Sequence, residues 1–252
     1  MSTWVLLRGL TRETRHWGAF PETLRRAFPD AMVVCLDLPG NGDLNALSSP
    51  STVAAMAVYC RTELARRGLE PPFDLLAMSL GAMVAVSLAT IWPAEIGSCV
   101  LINTSLRPFS PFYHRLKPAN YPALFKLMLL GGSAATWEQT ILRLTSNKPE
   151  ARVLEDWIAY RREHPVSRGN ALRQLLAAAR FLAPARMPVS RVLFLASCRD
   201  ALVDPRCSRV AARRWGAKVA EHQSAGHDLP LDDGPWVVER LREWLVPVHI
   251  AH

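Results

Sequence analysis

The chain has 252 residues, of which half are apolar and about a fifth are charged, a composition typical of a globular protein with a substantial core. Its five cysteines are dispersed, with no CxxC pair and no metal-like spacing to histidine, so we expect no disulfide framework, no metal site and a reducing, cytoplasmic location. The N-terminus lacks the basic and apolar regions of a secretory signal.

The net charge of +8 comes from one continuous segment. Residues 105–186 hold 13 Lys and Arg against 5 Asp and Glu, whereas the rest of the chain holds 17 of each sign. A surplus of this kind is commonly a solvated face, but it also favours an anionic substrate or partner. No nucleic acid is expected as a partner, because the segment has neither an aromatic-and-basic RNA motif nor a DNA-recognition helix signature.

Six short apolar runs predict β-strands, the last of them more weakly than the others. None alternates polar with apolar residues, and continuous apolar strands are typical of a parallel sheet covered on both faces. The runs are Trp4–Leu7, Met32–Leu36, Phe73–Met78, Cys99–Ile102, Val192–Ala196 and Lys218–His222.

Helical patterns alternate with these strands. One helix is expected to start after Ser51 or Thr52 and to end at Gly68, and two more are expected at 205–215 and 235–244. Strand and helix in alternation predict an α/β fold with a doubly wound, mostly parallel sheet.

The uncharged stretch at 75–94 is about long enough to cross a bilayer. It contains Ser79, Gly81, Ser87 and Pro93, and it begins within a strand-like run. A buried strand entering a buried helix therefore explains it better than a membrane span, and we expect no transmembrane segment.

The alternation of strand and helix is interrupted once, between residues 105 and 186. No convincing strand lies there, and the stretch is too long and too well patterned for a loop. We predict a helical insertion at 105–186 and an α/β core formed by 1–104 and 187–252. The helix-like stretches of the insertion are 121–130, 136–145, 150–162 and 169–182.

The strongest chemical signal is Ala77-Met78-Ser79-Leu80-Gly81, which follows an apolar strand and precedes an apolar helix. A tight strand-to-helix turn can hold a serine in a strained conformation, and it needs small residues two positions before and after that serine. Ala77 and Gly81 meet this need, so Ser79 is the candidate nucleophile. The alternative is a buried serine that caps the helix.

A nucleophilic serine needs a base and a carboxylate that orients the base. His227 follows the last predicted strand, where the reactive groups of open α/β sheets gather, although an ordinary surface histidine is the alternative. Asp200 follows the fifth predicted strand. Its rival Asp204 precedes a proline at which a helix is expected to begin, so helix capping is the expected role of Asp204.

Two backbone N–H groups are candidates for an oxyanion hole. The N–H of Leu80 directly follows the nucleophile at the start of a helix. The second candidate is the N–H of Leu10, because Gly9 permits an unusual turn after the first strand.

With these residues placed, the chain resembles the α/β-hydrolase family over nearly its whole length. The resemblance implies that the first strand here corresponds to the third strand of that family, so the sheet is shortened at its N-terminal strands. It also implies that the insertion is a cap or lid over the active site and that Asp37 is structural. The matching features are the order Ser79, Asp200, His227, the AMSLG elbow, the DLPGNG stretch at 37–42, the RD…VDP stretch at 199–205 and the GHDLP stretch at 226–230. The family often has His-Gly where this chain has Arg8-Gly9.

These features predict a serine hydrolase that cleaves a carboxylic ester or thioester through an acyl-enzyme, without metal or cofactor. The alternatives are an amide or peptide hydrolase that uses the same triad, and a non-catalytic ligand-binding protein of the same fold. The expected partner is a small-molecule ester or thioester, and the charge of the insertion favours an anionic one. Candidate pocket residues are Phe112, Tyr113, Leu124, Phe125, Leu127, Met128, Trp137 and Trp157, and candidate substrate-attracting residues are Arg107, Arg115, Lys117, Arg161 and Arg162.

Overall fold

The computed structural model describes residues 2–148 and 151–245. Its strands are β1 (Thr3–Leu7), β2 (Met32–Leu36), β3 (Phe73–Met78), β4 (Ile96–Ile102), β5 (Val192–Ser197) and β6 (Lys218–His222). They form one sheet in the order β2-β1-β3-β4-β5-β6, and every neighbouring pair is parallel. All six predicted strands are confirmed, with small differences at their ends.

Both faces of the sheet are buried. On β1, Val5 and Leu7 belong to one core cluster, and Trp4 and Leu6 belong to the other. Successive side chains of a strand point to opposite faces, so a strand covered on both sides needs an apolar residue at every position. This explains the unbroken apolar runs, and the predicted doubly wound sheet is confirmed.

Ten α-helices lie within the described residues. They are α1 (Phe20–Ala27), α2 (Val53–Arg66), α3 (Leu80–Ile91), α4 (Phe112–Arg115), α5 (Tyr121–Leu130), α6 (Ala134–Thr145), α7 (Ala151–Glu163), α8 (Arg168–Arg180), α9 (Arg206–Trp215) and α10 (Leu229–Leu245). Side chains of α2, α3 and α9 join the core on one face of the sheet, and those of α1 and α10 join the core on the other.

Local sequence sets several helix ends. The Thr52 hydroxyl accepts the N–H of Ala55 at 3.3 Å and caps α2. Gly216 follows α9 with a left-handed backbone (φ 64°), which glycine adopts without steric cost. Helix α10 is kinked at Asp233, whose carboxylate accepts the N–H of Trp236 at 3.0 Å. The predicted last helix is the part after this kink.

Helices α4 to α8 all lie between β4 and β5, in the interval 105–186 that we call the insertion. The two ends of the insertion are joined to each other. The N–H of Ala183 donates to the carbonyl of Arg107 at 2.7 Å, and an isolated parallel bridge pairs Arg107 with Leu182.

The chain changes direction across the sheet at β1. From β1 it moves to β2 at one edge, and then it returns to β3 and continues through β4, β5 and β6 to the other edge. A crevice forms at the carboxyl ends of the strands where such a reversal occurs, and ligands of open α/β sheets bind there. The loops that follow β1 and β3 flank this crevice.

The uncharged stretch at 75–94 is the end of β3 followed by α3, and residues 80–89 of α3 are all buried. No helix among residues 2–148 and 151–245 combines the length and the apolar character needed to cross a membrane.

Candidate active site

Ser79 lies between β3 and α3 with a backbone of φ 54° and ψ −115°. A residue with a side chain adopts this conformation only when its surroundings hold it there. The N–H of Ser79 donates to the carbonyl of Ile102 at 3.0 Å, and the Thr104 hydroxyl donates to the Ser79 carbonyl at 3.0 Å. The end of β4 therefore holds the strained residue in place.

Glycine is needed two residues after Ser79. A Cβ at Gly81 would lie 2.5 Å from the carbonyl oxygen of Arg8 and would also collide with the Leu7 carbonyl. A Cβ at Gly9 would lie 3.2 Å from the Cβ of Ser79. The close approach of the β1 loop to the serine turn thus depends on two residues without side chains.

Asp200 and His227 form a buried pair. Their exposed fractions are 2% and 4%, and His227 Nδ1 lies 2.7 Å from Asp200 Oδ2. The other carboxylate oxygen, Oδ1, accepts the N–H groups of Leu202 and Val203 at 2.8 and 2.9 Å. The carboxylate is therefore fixed, and a proton on Nδ1 leaves Nε2 as the basic nitrogen of the ring.

The rival carboxylate, Asp204, has other partners. It accepts the N–H of Arg206 at 2.9 Å at the start of α9 and pairs with the Arg206 guanidinium at 2.6 Å. The hydrogen bond from that guanidinium lowers the pKa of Asp204 to about 2. Asp204 thus has the helix-capping position expected from the sequence.

The loop after β1 carries one of the predicted oxyanion donors. Within the described chain, the N–H groups of Leu10 and Leu80 have no hydrogen-bond acceptor, and both residues line the same cavity as Ser79. Thr11 has φ 58°, and its N–H donates to Gln174 Oε1 of α8 at 2.8 Å. The fully buried Gln174 also donates to Asn41 Oδ1 at 2.7 Å. The insertion therefore contacts the loop after β1 directly.

Arg8 and Asp228 join that loop to the histidine loop. The Arg8 guanidinium donates to both oxygens of Asp228, at 3.0 and 2.5 Å, and lies over the Trp17 ring at 4.8 Å from its centroid. Both charges are buried, and a bidentate pair of this kind fixes direction as well as distance. Asn103 adds a second tie, because its amide donates to the His227 carbonyl at 2.7 Å.

A second buried ionic cluster lies beside Arg8. Arg12 and Arg161 both pair with the carboxylate of Glu138, and the Arg12 guanidinium lies 4.3 Å from the centroid of the Trp157 ring. His16 packs against this cluster, and burial, together with the Arg12 charge, holds the pKa of His16 well below its usual value. His16 is thus a buried neutral ring in this cluster.

The predicted nucleophile, base and oxyanion donors share one cavity of about 320 Å³. Of the predicted pocket residues, Phe112 and Leu124 line it, whereas Trp157 lies beneath Arg12. Arg161, one of the predicted substrate-attracting residues, pairs with the carboxylate of Glu138 and does not line the cavity. The other lining residues of the insertion are Ser105, Arg115, Leu116, Tyr121, Ile141, Thr145, Leu175, Ala178 and Ala179.

The roles of Gln174 and Asn103 were missed from the sequence, and Arg8 was noted only as a departure from the usual His-Gly. A dense group of charges directly after a buried strand, Arg8 to Arg15, is a signal that could have indicated buried ion pairs. No comparable signal marks Gln174, whose partners are far away in the chain.

Fold and site together define a class of protein. It has an α/β sheet, a strained serine after a central strand and a buried Asp–His pair, all at the carboxyl ends of the strands. The family model described as "Alpha/beta hydrolase family" matches residues 4–240. The chain belongs to the alpha/beta hydrolase family. This membership supports hydrolase activity in the broad sense.

Solved structures with the same fold include three that cover most of both chains. A thermophilic esterase from Thermogutta terrifontis has a TM-score of 0.75 at 22% identity, covering 97% of this chain and 89% of its own. A bacterial membrane phospholipase A has a TM-score of 0.78 at 21% identity, covering 99% and 80%. A hydrolase from Pseudomonas aeruginosa PA01 has a TM-score of 0.74 at 17% identity, covering 97% and 89%. No curated protein matches the sequence.

Proposed function

We propose that this protein is a serine hydrolase that cleaves a carboxylic ester or thioester, with Ser79, His227 and Asp200 as its catalytic triad. The observation that carries the proposal is the buried, fixed Asp200–His227 pair, whose ring lines the same cavity as the strained Ser79. The similar structures of an esterase and of a phospholipase A are compatible with an ester substrate.

In the proposed reaction Ser79 Oγ attacks the substrate carbonyl carbon, and His227 Nε2 takes the hydroxyl proton. The N–H groups of Leu10 and Leu80 donate to the oxyanion that forms. The tetrahedral intermediate then collapses, the bond to the alcohol or thiol breaks, and His227 returns the proton to that leaving group. Water then attacks the acyl-enzyme, and His227 Nε2 takes its proton. The proton passes to Ser79 Oγ as the ester bond to the serine breaks and the carboxylic acid leaves. This chemistry needs neither a metal ion nor an organic cofactor.

The cavity favours an acyl group with a largely apolar body. Leu, Met and Ile side chains form much of its wall, and Arg115 of the insertion is a basic group that lines it. Arg8 and Arg12 also line it, but their charges are paired with Asp228 and Glu138. An anionic substrate fits the positive surplus of the insertion. All five cysteines are free thiols, which fits the proposed cytoplasmic location.

The test is covalent labelling with a fluorophosphonate, followed by an activity screen over p-nitrophenyl esters and acyl thioesters of graded length. We expect wild type to be labelled and Ser79→Ala to lose both label and turnover, by on the order of 10⁴-fold or more. Ser105→Ala is the matched control, since Ser105 is another serine that lines the cavity, and it should keep the label.

Near-normal ester turnover by Ser79→Ala would contradict the proposed triad. Labelling without turnover of any ester or thioester, but with turnover of an amide, would reassign the substrate. Absence of both labelling and turnover in folded wild type would favour a non-catalytic binding protein.

A further inference from the structure

Large apolar side chains are exposed on the insertion. Phe112, Phe125 and Leu129 are exposed to 71%, 64% and 61%, which is unusual for residues of this size. Together with three other exposed side chains they form a set that we call the apolar rim. The apolar rim consists of Phe112, Tyr121, Phe125, Leu129, Leu172 and Leu175.

Helical spacing places the rim residues of α5 on one face of that helix and those of α8 on one face of the other. Tyr121, Phe125 and Leu129 follow one another at four-residue intervals on α5, and Leu172 and Leu175 are three apart on α8. Residues at these intervals share one face of a helix. On another face of α5, Leu127 is buried, so this helix is apolar toward the protein and also toward its surroundings.

The rim adjoins the opening of the candidate active-site cavity. Phe112, Tyr121 and Leu175 are exposed and also line the cavity, so they lie where it meets the surroundings. Helices α5 and α8 are in contact, because the Arg168 guanidinium donates to the carbonyl of Leu129 at 3.3 Å. The rim is therefore one surface carried by adjacent elements.

The excess positive charge of the insertion lies in the stretches that carry the rim. The two stretches that carry the rim, 105–133 and 167–186, hold eight Lys and Arg and no Asp or Glu, whereas 134–166 holds five of each sign. The whole net charge of +8 thus belongs to the rim-bearing stretches. Lys126 and Arg173 are exposed on α5 and α8 between the apolar residues.

We propose that the apolar rim docks on an anionic phospholipid surface, with its aromatic and leucine side chains among the acyl chains and its basic side chains at the headgroups. Exposed apolar faces flanked by Lys and Arg alone are the pattern of an element that lies in a membrane interface. A second copy of this chain is disfavoured as the occupant, because the same face would bring basic groups against basic groups. Docking directs the cavity opening toward the lipid layer.

The experiment is co-sedimentation with vesicles of phosphatidylcholine, with and without phosphatidylglycerol. Ser79→Ala protein is used in parallel, so that any hydrolysis of the lipid is separated from binding. We expect both proteins to bind the anionic vesicles and to bind pure phosphatidylcholine much more weakly, and we expect added salt to reduce the binding. Binding does not require turnover, so this result stands or falls independently of the proposed function.

Two double variants test the surface itself. Phe125→Ser with Leu129→Ser should weaken vesicle binding by about tenfold or more. Lys126→Gln with Arg173→Gln should remove most of the preference for phosphatidylglycerol. None of these side chains lines the cavity, so hydrolysis of a short water-soluble ester should stay unchanged. Val58→Ser is the matched control, because Val58 is about half exposed on α2, outside the insertion.

The proposal fails if wild type does not bind anionic vesicles, or if the rim variants bind them as wild type does. It also fails if Val58→Ser loses as much binding as the rim variants. Sedimentation velocity could instead show a dimer for wild type and a monomer for the Phe125→Ser, Leu129→Ser variant. That result would assign the rim to a second copy of this chain. Binding to an acidic protein but to no vesicle would assign it to that class of partner.

Discussion

Asp200 and Asp204 lie in one short loop, yet their carboxylates have different partners. Asp200 is buried against His227, whereas Asp204 is held by the first turn of α9 and by the Arg206 guanidinium. A catalytic carboxylate must orient a base, and a capping carboxylate only satisfies backbone donors. The two residues therefore permit a matched comparison within one loop.

Asp200→Asn should lower kcat by on the order of 10⁴-fold, because the amide no longer holds the histidine in the tautomer with a free Nε2. Asp204→Asn should leave kcat near the wild-type value and cost less than about 1 kcal/mol of stability, because Asn also caps a helix and only the exposed ion pair with Arg206 is lost. Steady-state kinetics on a short ester and thermal unfolding of both variants measure this. The reverse order in kcat would make Asp204 the orienting acid.

Gly81→Ala should lower kcat strongly and lower the unfolding midpoint comparatively little. The added methyl group would collide with the backbone carbonyls of Leu7 and Arg8, so the β1 loop and the serine turn must move apart. A displacement of about 1 Å at reacting groups can cost about 10²-fold in rate. Gly169→Ala is the control, since its Cβ would meet only Ser167 Oγ at 3.8 Å, and helical Gly→Ala is stabilising by about 0.5–1 kcal/mol.

The measurement is kcat together with the unfolding midpoint of each glycine variant. Equal kcat for Gly81→Ala and Gly169→Ala would show that the close approach at the elbow has no part in catalysis.

At the scale of elements, α8 is the helix of the insertion that contacts the loop after β1. Its buried Gln174 accepts the Thr11 N–H, and its Asn170 accepts the N–H of Ser49 at 2.9 Å. Leu172 and Leu175 on the same helix are exposed. One helix thus carries both an exposed apolar face and a hydrogen bond to the loop after β1.

Gln174→Leu should lower kcat by about tenfold or more and change KM less, because the buried Thr11 N–H loses its acceptor and the adjacent Leu10 donor shifts. Gln139→Leu, on an exposed position of α6, is the control and should keep wild-type kinetics. The assay is run at a temperature at which circular dichroism shows both variants folded. A wild-type kcat for Gln174→Leu would show that the loop keeps its shape without α8.

The sequence predicted elements better than it predicted the contacts between them. Continuous apolar runs identify β1 to β6 because burial on both faces is a local requirement at every position. Ser79, Asp200 and His227 could be located because each follows a strand, and parallel strands bring their carboxyl ends together. Gln174 and Thr11 could not be paired in advance, since their contact depends on how α8 packs over the sheet. Hydrogen bonds between distant side chains leave no periodic pattern in the sequence.

At the scale of the whole molecule, the charge is unevenly distributed. The surplus belongs to the insertion, and residues of the insertion, Arg115 among them, line the cavity that holds the candidate nucleophile. A field of one sign raises the encounter rate of oppositely charged ligands, and salt weakens this effect.

An anionic ester should therefore be hydrolysed with a higher kcat/KM than a neutral ester of equal acyl length at low salt. The difference should shrink as salt approaches about 0.5 M, where the screening length falls well below the dimensions of the protein. The measurement is kcat/KM for both esters across an ionic-strength series. Equal salt responses, or a preference for the neutral ester throughout, would make the positive surplus a solvated face only.

The joined ends of the insertion also bear on how such a protein can diversify. The insertion leaves the sheet after β4 and returns at its neighbour β5, and the Arg107–Ala183 hydrogen bond closes it at its base. Closing a longer segment there costs little, about 0.6 kcal/mol for each doubling of length. A lineage could therefore exchange this segment, and with it the substrate range, while inheriting the elbow and the Asp–His pair unchanged. The Thr11 N–H sets the condition on any such graft, because a foreign segment must bring its own acceptor for it.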